Sequence, residues 1–323
     1  MLIVTGGAGF LGSAVIWKLN EAGRQDILVV DNLGRSSKWR NLVNRRYADY
    51  IHKSDFLRRI EGGKDPFGIT GVVHMGACSS TTEPDADYLY ENNTRFTTEL
   101  CRCCLERGVR FVNASSAATY GDGSRGFGDA HSGLEALRPM NMYGYSKHLF
   151  DLTALRNGWL DEIASLKFFN VYGPNEYHKN DMMSVACKAF SQIGERGRVR
   201  LFRSHREGVE DGGQLRDFVY VKDCANVVCW LLENSEASGV FNVGTGKARS
   251  FNDLVGAVFK ALGREPDIEY VDMPETIRDT YQYFTEAPMG KLRAAGYDRE
   301  FTSLEEGVKD YVQGYLAGKD SFL

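Results

Sequence analysis

The sequence predicts an α/β protein: a Rossmann-like doubly wound parallel sheet with a smaller, discontinuous substrate-binding lobe. Three observations carry this. A short apolar run, Leu2-Ile3-Val4-Thr5, breaks into Gly6-Gly7-Ala8-Gly9-Phe10-Leu11-Gly12 and restarts as a helix. The next apolar run closes on Asp31, about twenty residues further along. Strand-like and helix-like stretches then alternate as far as Pro174, the pattern of parallel strands joined by crossover helices.

Gly6, Gly9 and Gly12 each have a physical task in that opening stretch. One permits a tight turn, one lets a pyrophosphate approach the backbone, and one lets helix and strand pack closely. The free N–H groups and the positive end of the following helix then face the phosphates. A glycine pattern alone also fits a turn that holds nothing. Its place after an apolar strand, with Asp31 following, favours a dinucleotide cradle.

The 323 residues suit one large α/β domain or a domain with a smaller lobe. A formal charge of −4 gives no sign of a nucleic-acid surface. No apolar run approaches the ~20 residues of a membrane span. With the first strand starting at Leu2, the expected compartment is the cytoplasm. The seven cysteines lack the paired spacing or nearby histidines of a metal site, so no metal is expected.

Ile27 to Asn32 is the second strand, and Asp31 at its C-terminal end can accept from an adenosine ribose hydroxyl. Arg35, Lys38 and Lys53 follow; cations there hold a 2′-phosphate or simply face solvent. Tyr47–Ile51 is a weak third strand, Asp55–Ile60 a short helix, and Gly62, Gly63 and Pro66 mark a loop. The fourth strand, Gly71–Ala77, runs into Cys78-Ser79-Ser80-Thr81-Thr82, small enough for a cofactor and equally suited to capping a helix. Asp85–Arg107 is a long helix with Asn92, a poor helix former, in its middle. Arg110–Ser116 is the fifth strand, 121–139 a surface loop or lid, Tyr143–Leu155 a helix and Ala164–Phe169 the sixth strand.

After Pro174 the alternation loosens. Helices are expected at 182–195, 223–233 and from a Ser250 cap to Leu262, with strands at 198–202, 216–221, 239–243 and 268–271 and two more helices at the end. The dinucleotide domain is then 1–172 plus about 218–249. The second lobe is about 173–217 plus 250–323.

Tyr143-Gly144-Tyr145-Ser146-Lys147 places Tyr143 and Lys147 four apart, on one helix face. A phenol holds its proton to about pH 10. An ammonium beside it stabilises the phenolate, which can then take a hydroxyl proton while hydride leaves the same carbon. Ser116, at a strand end, supplies a hydroxyl to orient the substrate oxygen. Tyr145 has no Lys four residues on and is excluded as the base.

At these residues the chain resembles the extended short-chain dehydrogenase/reductase family of nucleotide-sugar enzymes. The match runs through Thr5 to Gly12, Ser116, Tyr143 with Lys147, Asn170-Val171-Tyr172-Gly173-Pro174 and Arg216 to Val221. Within the family the closer resemblance is to the ADP-heptose 6-epimerases, on Gly76 to Glu83, Ala114 to Gly121, Tyr143 to Lys147, His178-Lys179 and Leu292 to Asp298. It covers nearly the whole chain. The resemblance implies an NADP-using isomerase, with NAD allowed. It would convert ADP-D-glycero-D-manno-heptose to its L-glycero epimer through a transient 6″-ketone, supplying heptose for lipopolysaccharide.

The same resemblance implies residue roles. Gly6, Gly9, Phe10, Leu11, Gly12, Asp31, Asn32, Lys38, Lys53, Met75, Gly76, Ala77, Cys78, Ser79, Asn92, Lys147, Val171 and Lys179 fall where the family holds its cofactor. Ser116, Asn170, Asp181, Lys188, Phe202, Arg203, Ser204, His205, Arg216 and Tyr281 fall where it holds the sugar nucleotide. Lys179 is the implied second acid/base, beside the catalytic Tyr143, Lys147 and Ser116. Met75, Asp181, Lys188 and Arg203-Ser204-His205 differ from the family's usual residues. A homo-oligomer is implied, and neither a nucleic acid nor a membrane is an expected partner. A dehydratase would want a carboxylate pair beside the serine strand end; Ala117-Ala118 stand there instead.

Overall fold

The computed structural model describes residues 1–60, 67–278 and 281–323. The expected loop at Gly62, Gly63 and Pro66 lies outside them. The opening strand β1 (Leu2–Thr5) leads through the glycine turn into α1 (Phe10–Glu21). Then follow β2 (Ile27–Asp31), β3 (Asp49–His52), α2 (Lys53–Ile60) and β4 (Gly71–His74). The next crossover is α3 (Ala86–Leu89), a π-helical turn Tyr90–Arg95 and α4 (Phe96–Leu105), leading to β5 (Phe111–Ser116). Beyond the loop from Gly121 come α5 (Met142–Arg156), β6 (Ala164–Phe168) and β7 (Asn170–Tyr172).

The rest is α6 (Val185–Arg196), β8 (Val199–Phe202), β9 (Leu215–Tyr220), α7 (Val221–Glu233) and β10 (Gly239–Val243). It ends with β11 (Ala248–Ser250), α8 (Phe251–Ala261), β12 (Ile268–Val271), α9 (Glu275–Arg278), α10 (Gly290–Ala294) and α11 (Leu304–Lys309), which runs on into a π-helical turn, Asp310–Leu316.

Seven parallel strands form the main sheet in the order β10-β6-β5-β4-β1-β2-β3. Successive residues of a strand point to opposite faces. Leu2 and Val4 therefore join the core beneath α1 and α7, while Ile3 joins the core beneath α4 and α5. Both faces are covered, which is why the strands read as continuous apolar runs rather than alternating ones. The order reverses between β1 and β4. That crevice, at the carboxyl ends of the strands, is where open α/β sheets hold ligands. Two small sheets, β11-β9-β7 and β12-β8, stand apart from the main one. Among the described residues no helix is long and apolar enough to cross a membrane.

Several local expectations are corrected. The helix after the fourth strand is capped by Asp85, whose carboxylate accepts from the Tyr88 amide at 2.8 Å, and not by Ser80–Thr82. The long helix is not regular, for its π turn spans Asn92 and Asn93. The 121–139 stretch is no free lid: it contains a 3₁₀ turn, His131–Ala136, and buries Leu134 and Leu137. Ser250 does cap its helix, in a reciprocal capping box with Asp253.

Candidate active site

The glycine loop is shaped by clashes it avoids. Gly6 has φ +63°, and a Cβ there would sit 2.6 Å from the Gly76 nitrogen, so the loop lies directly on the end of β4. A Cβ on Gly12 would stand 2.2 Å from the Gly6 carbonyl, so α1 can approach the turn only without one. Gly9 caps α1 without any side-chain hydrogen bond, leaving the first-turn N–H groups free for an anion. Asp31 closes β2 beneath this turn. Its carboxylate accepts from the Ala8 amide at 2.8 Å and from the Lys38 ammonium at 2.7 Å.

Two adjoining cavities share Gly6, Asp31, Lys38, Gly76 and Ala77. The larger, about 480 Å³, is also lined by Gly9, Phe10, Leu11, Met75, Ser79, Ser116, Tyr143, Lys147, Val171, His178 and Lys179. The smaller adds Asn32, Lys53, Cys78 and Asn92. Of the residues assigned to the cofactor from sequence, only Gly12 lies away from these walls, in the helix packing. The cradle, the uncapped helix end and the strand-end carboxylate together fit a dinucleotide.

Helix α5 brings the reactive groups in. Asn141 caps it by accepting from the Gly144 amide at 2.8 Å. Gly144 lets it lie on the 117–118 turn, since a Cβ there would be 2.7 Å from the Ala118 carbonyl. Tyr143 and Lys147 face the cavity, whereas Tyr145 is 45% exposed. Burial raises the Tyr143 phenol above its ordinary pKa, and a hydrogen bond with Ser116 opposes this. Lys147 donates to the Ala114 carbonyl at 2.8 Å; burial lowers its pKa to about 8 against the pull of Asp151.

Lys179 lines the same cavity from the 3₁₀ turn Tyr177–Met182, with its ammonium 5.1 Å from the Phe10 ring centroid. Burial lowers its pKa; Glu176 opposes this and Lys188 adds to it. A phenol hydrogen-bonded with Ser116 and the Lys179 ammonium thus line one cavity.

The sugar-nucleotide candidates divide. Lys188, Phe202 and Tyr281 line a separate cavity of about 190 Å³ with Phe251. Arg216 lies beside it, its guanidinium 5.2 Å from the Tyr281 ring and 5.7 Å from the Phe251 ring. It donates to the carbonyls of Leu215 and Gln282 and makes no carboxylate pair among the described residues. The neighbouring Asp217 turns away, accepting from Thr245, Gly246 and Ala287. Asn170, Asp181, Arg203, Ser204 and His205 line neither cavity: Arg203 faces Asp272 and the His205 amide donates to Tyr283.

Sequence reasoning missed the support beneath α5. Asp151, two turns from Tyr143, is fully buried and accepts from Ser115, Ser165 and Lys167, each at 2.8 Å. It also missed Asn93, in the π turn. Asn93 holds Cys78 at both backbone groups and donates to Ser146 of α5 at 3.0 Å. The unfavourable Asn pair in mid-helix was the one available signal.

Residues 2–244 match the model of the NAD dependent epimerase/dehydratase family. The chain belongs to this family. Within it, the chain is 64% identical over the full length of both chains to an ADP-L-glycero-D-manno-heptose-6-epimerase of Nitratidesulfovibrio vulgaris. It is 49% identical, again over both full lengths, to one of Fusobacterium nucleatum. Among solved structures it resembles the ADP-L-glycero-D-manno-heptose-6-epimerase of Helicobacter pylori, with 27% identity and a TM-score of 0.80 over 97% of this chain and 95% of that one. It also resembles a UDP-glucose 4-epimerase of Thermus thermophilus in complex with NAD, with 26% identity and a TM-score of 0.74 over 97% of each chain. A nicotinamide dinucleotide is therefore the cofactor class of this epimerase/dehydratase chain.

Proposed function

We propose that the chain epimerises ADP-D-glycero-D-manno-heptose at C6″, giving the L-glycero epimer for lipopolysaccharide core heptose. The observation that carries this is the pair Tyr143 and Lys179 lining one cavity, in a chain 64% identical to an enzyme of that name. The C6″ hydrogen shares its carbon with a hydroxyl and is not acidic, so inversion requires oxidation and re-reduction. A nicotinamide held by the glycine cradle would accept a hydride and return it.

The chain's own residues handle the proton and the binding. Ser116 holds the C6″ oxygen, Tyr143 takes the hydroxyl proton, and Lys147 stabilises the phenolate electrostatically. The resulting ketone can turn about its exocyclic bond. Lys179 then gives a proton to the oxygen in its new position. Arg216 engages the diphosphate with its planar fork of donors. Replacing Lys179 with Ala is expected to lower kcat by about 10²-fold or more, the usual worth of a placed general acid. Wild-type epimerisation by that variant, measured by proton NMR of the C6″ position, would remove Lys179 from the reaction.

We propose NADP rather than NAD as the cofactor. Lys38 neutralises Asp31, and Lys53 stands on the same cavity, donating to Asn92 at 2.5 Å. Burial, with Lys38 and Lys179, lowers the pKa of His178 to about 4. A 2′-phosphate there would meet cations instead of a lone carboxylate. Mass spectrometry of the nucleotide released on denaturing the purified protein is expected to show NADP; NAD alone would reverse this assignment. We place the reaction in the cytoplasm, which the seven free cysteines support, and propose a homo-oligomer on family likeness.

A further inference from the structure

The turn that carries Lys179 is held by contacts from elsewhere in the chain as well as by its own hydrogen bonds. Asn175 and Asn180 bracket it with φ of +78° and +48°, conformations that side-chain-bearing residues adopt at a cost and keep only where their surroundings fix them. At Asn175 hydrogen bonds to two distant parts of the chain do this. The side chain, fully buried, donates to the Ser13 hydroxyl of α1 at 2.9 Å and accepts from the Leu323 amide at 3.0 Å.

Leu323 belongs to a segment, 320–323, that contacts the chain on either side of the cleft, next to Lys38 and next to Lys179. On the Lys179 side, the Tyr177 hydroxyl donates to the Ser321 carbonyl at 2.6 Å, and the Tyr177 and Phe322 rings meet edge to face at 5.4 Å. On the Lys38 side, Asn44 donates to Asp320 at 2.8 Å, Arg45 donates to the Leu323 carbonyl, and the Arg40 guanidinium lies 5.3 Å from the Phe322 ring. Asn41 joins the two sides, donating to the Ala8 carbonyl at 2.9 Å and the Asn175 carbonyl at 3.0 Å. Neither Phe322 nor Leu323 lines the cavity itself.

We propose that segment 320–323 is a strap that positions Lys179 for proton transfer by fixing the 175–178 turn against the glycine loop and the 40–45 loop. Phe322 and Leu323 are then positioning residues, acting through Asn175 and Tyr177. The proposal rests on the acid/base reading of Lys179 given above. A side chain displaced by about 1 Å from its reacting partner can lose about 10²-fold in rate, so the strap is worth having even though it touches no reacting atom.

The test compares Phe322→Ala, Phe322→Tyr and a deletion of 320–323 in the full chain. Two readouts are taken: steady-state epimerisation of ADP-D-glycero-D-manno-heptose, and hydrogen–deuterium exchange of the 173–183 amides. Phe322→Ala and the deletion are expected to lower kcat about 10- to 100-fold with KM little changed, and to speed exchange at 175–180. Phe322→Tyr, which keeps the ring, is expected to restore both. Faster exchange with wild-type kcat, or a lower kcat with wild-type exchange, overturns the proposal. Should the deletion not fold, Phe322→Ala decides alone. Wild-type turnover by Lys179→Ala would instead defeat the acid/base reading and the strap's catalytic purpose, while exchange still reports whether the strap holds the turn.

Discussion

Replacing Tyr143 with Phe is expected to lower turnover by about 10²- to 10⁴-fold, the range for removing a placed general base. Only one oxygen is lost, so helix α5 and its cap on Asn141 remain. The cleft walls that would hold the cofactor are untouched, and the purified variant is expected to carry as much bound nucleotide as the wild type. Two groups act on that phenol. Burial raises its pKa, which by itself would keep it protonated, and Ser116 partly offsets this. The Lys147 ammonium, one turn away on the same face, is the group proposed to stabilise the phenolate. Lys147 titrates near pH 8, so its charge is present at neutral pH and is lost as the pH rises through that value. Turnover is therefore expected to fall above about pH 8, because the phenolate then forms without its counter-charge. An active Tyr143→Phe enzyme would end this assignment.

The second large effect concerns stability. Lys167 and Asp151 form an ion pair with both side chains fully buried, 2.8 Å apart. Lys167 also donates to Thr119 at 2.5 Å, and Asp151 accepts from two serines. Taking one partner away leaves a buried charge without its hydrogen-bonded counter-ion. Lys167→Met or Asp151→Asn alone is expected to destabilise the fold by about 3–5 kcal/mol, whereas the double variant should lose much less. Denaturant unfolding of the two single variants and the double variant measures this directly. Additive losses would mean that the pair contributes nothing as a pair. Asp151→Asn should also lower turnover, since Asp151 lies one turn beyond Lys147 and favours its charged form.

The legible part of this molecule was the part where sequence pattern and backbone geometry share a period. β1, β2, β4, β5 and β6 are buried on both faces, and such strands leave short uninterrupted apolar runs. The glycine loop was legible because each glycine answers a contact of 3.0 Å or less. Tyr143 and Lys147 were legible because helical spacing alone puts them together. Asp151 and Lys167 were not. Charged residues in a helix and a strand read as solvated, and only the tertiary fold shows that they neutralise one another. β7 was hidden because Asn170–Tyr172 follows the sixth strand after one residue and pairs with β9, about 45 residues later in the chain. The strap was hidden for the same reason, since nothing local ties Leu323 to Asn175.

In the proposed reaction one cavity hosts the oxidation and re-reduction of the same carbon, with Tyr143 and Lys179 handling the proton. Its most direct test is to incubate the purified protein with ADP-D-glycero-D-manno-heptose in D₂O, with no added nucleotide or reductant, and to follow C6″ by NMR. The expected result is conversion toward the L-glycero epimer with the C6″ proton retained in the product and no net change in nicotinamide absorbance. Deuterium at C6″, or conversion only when reductant is supplied, would contradict it.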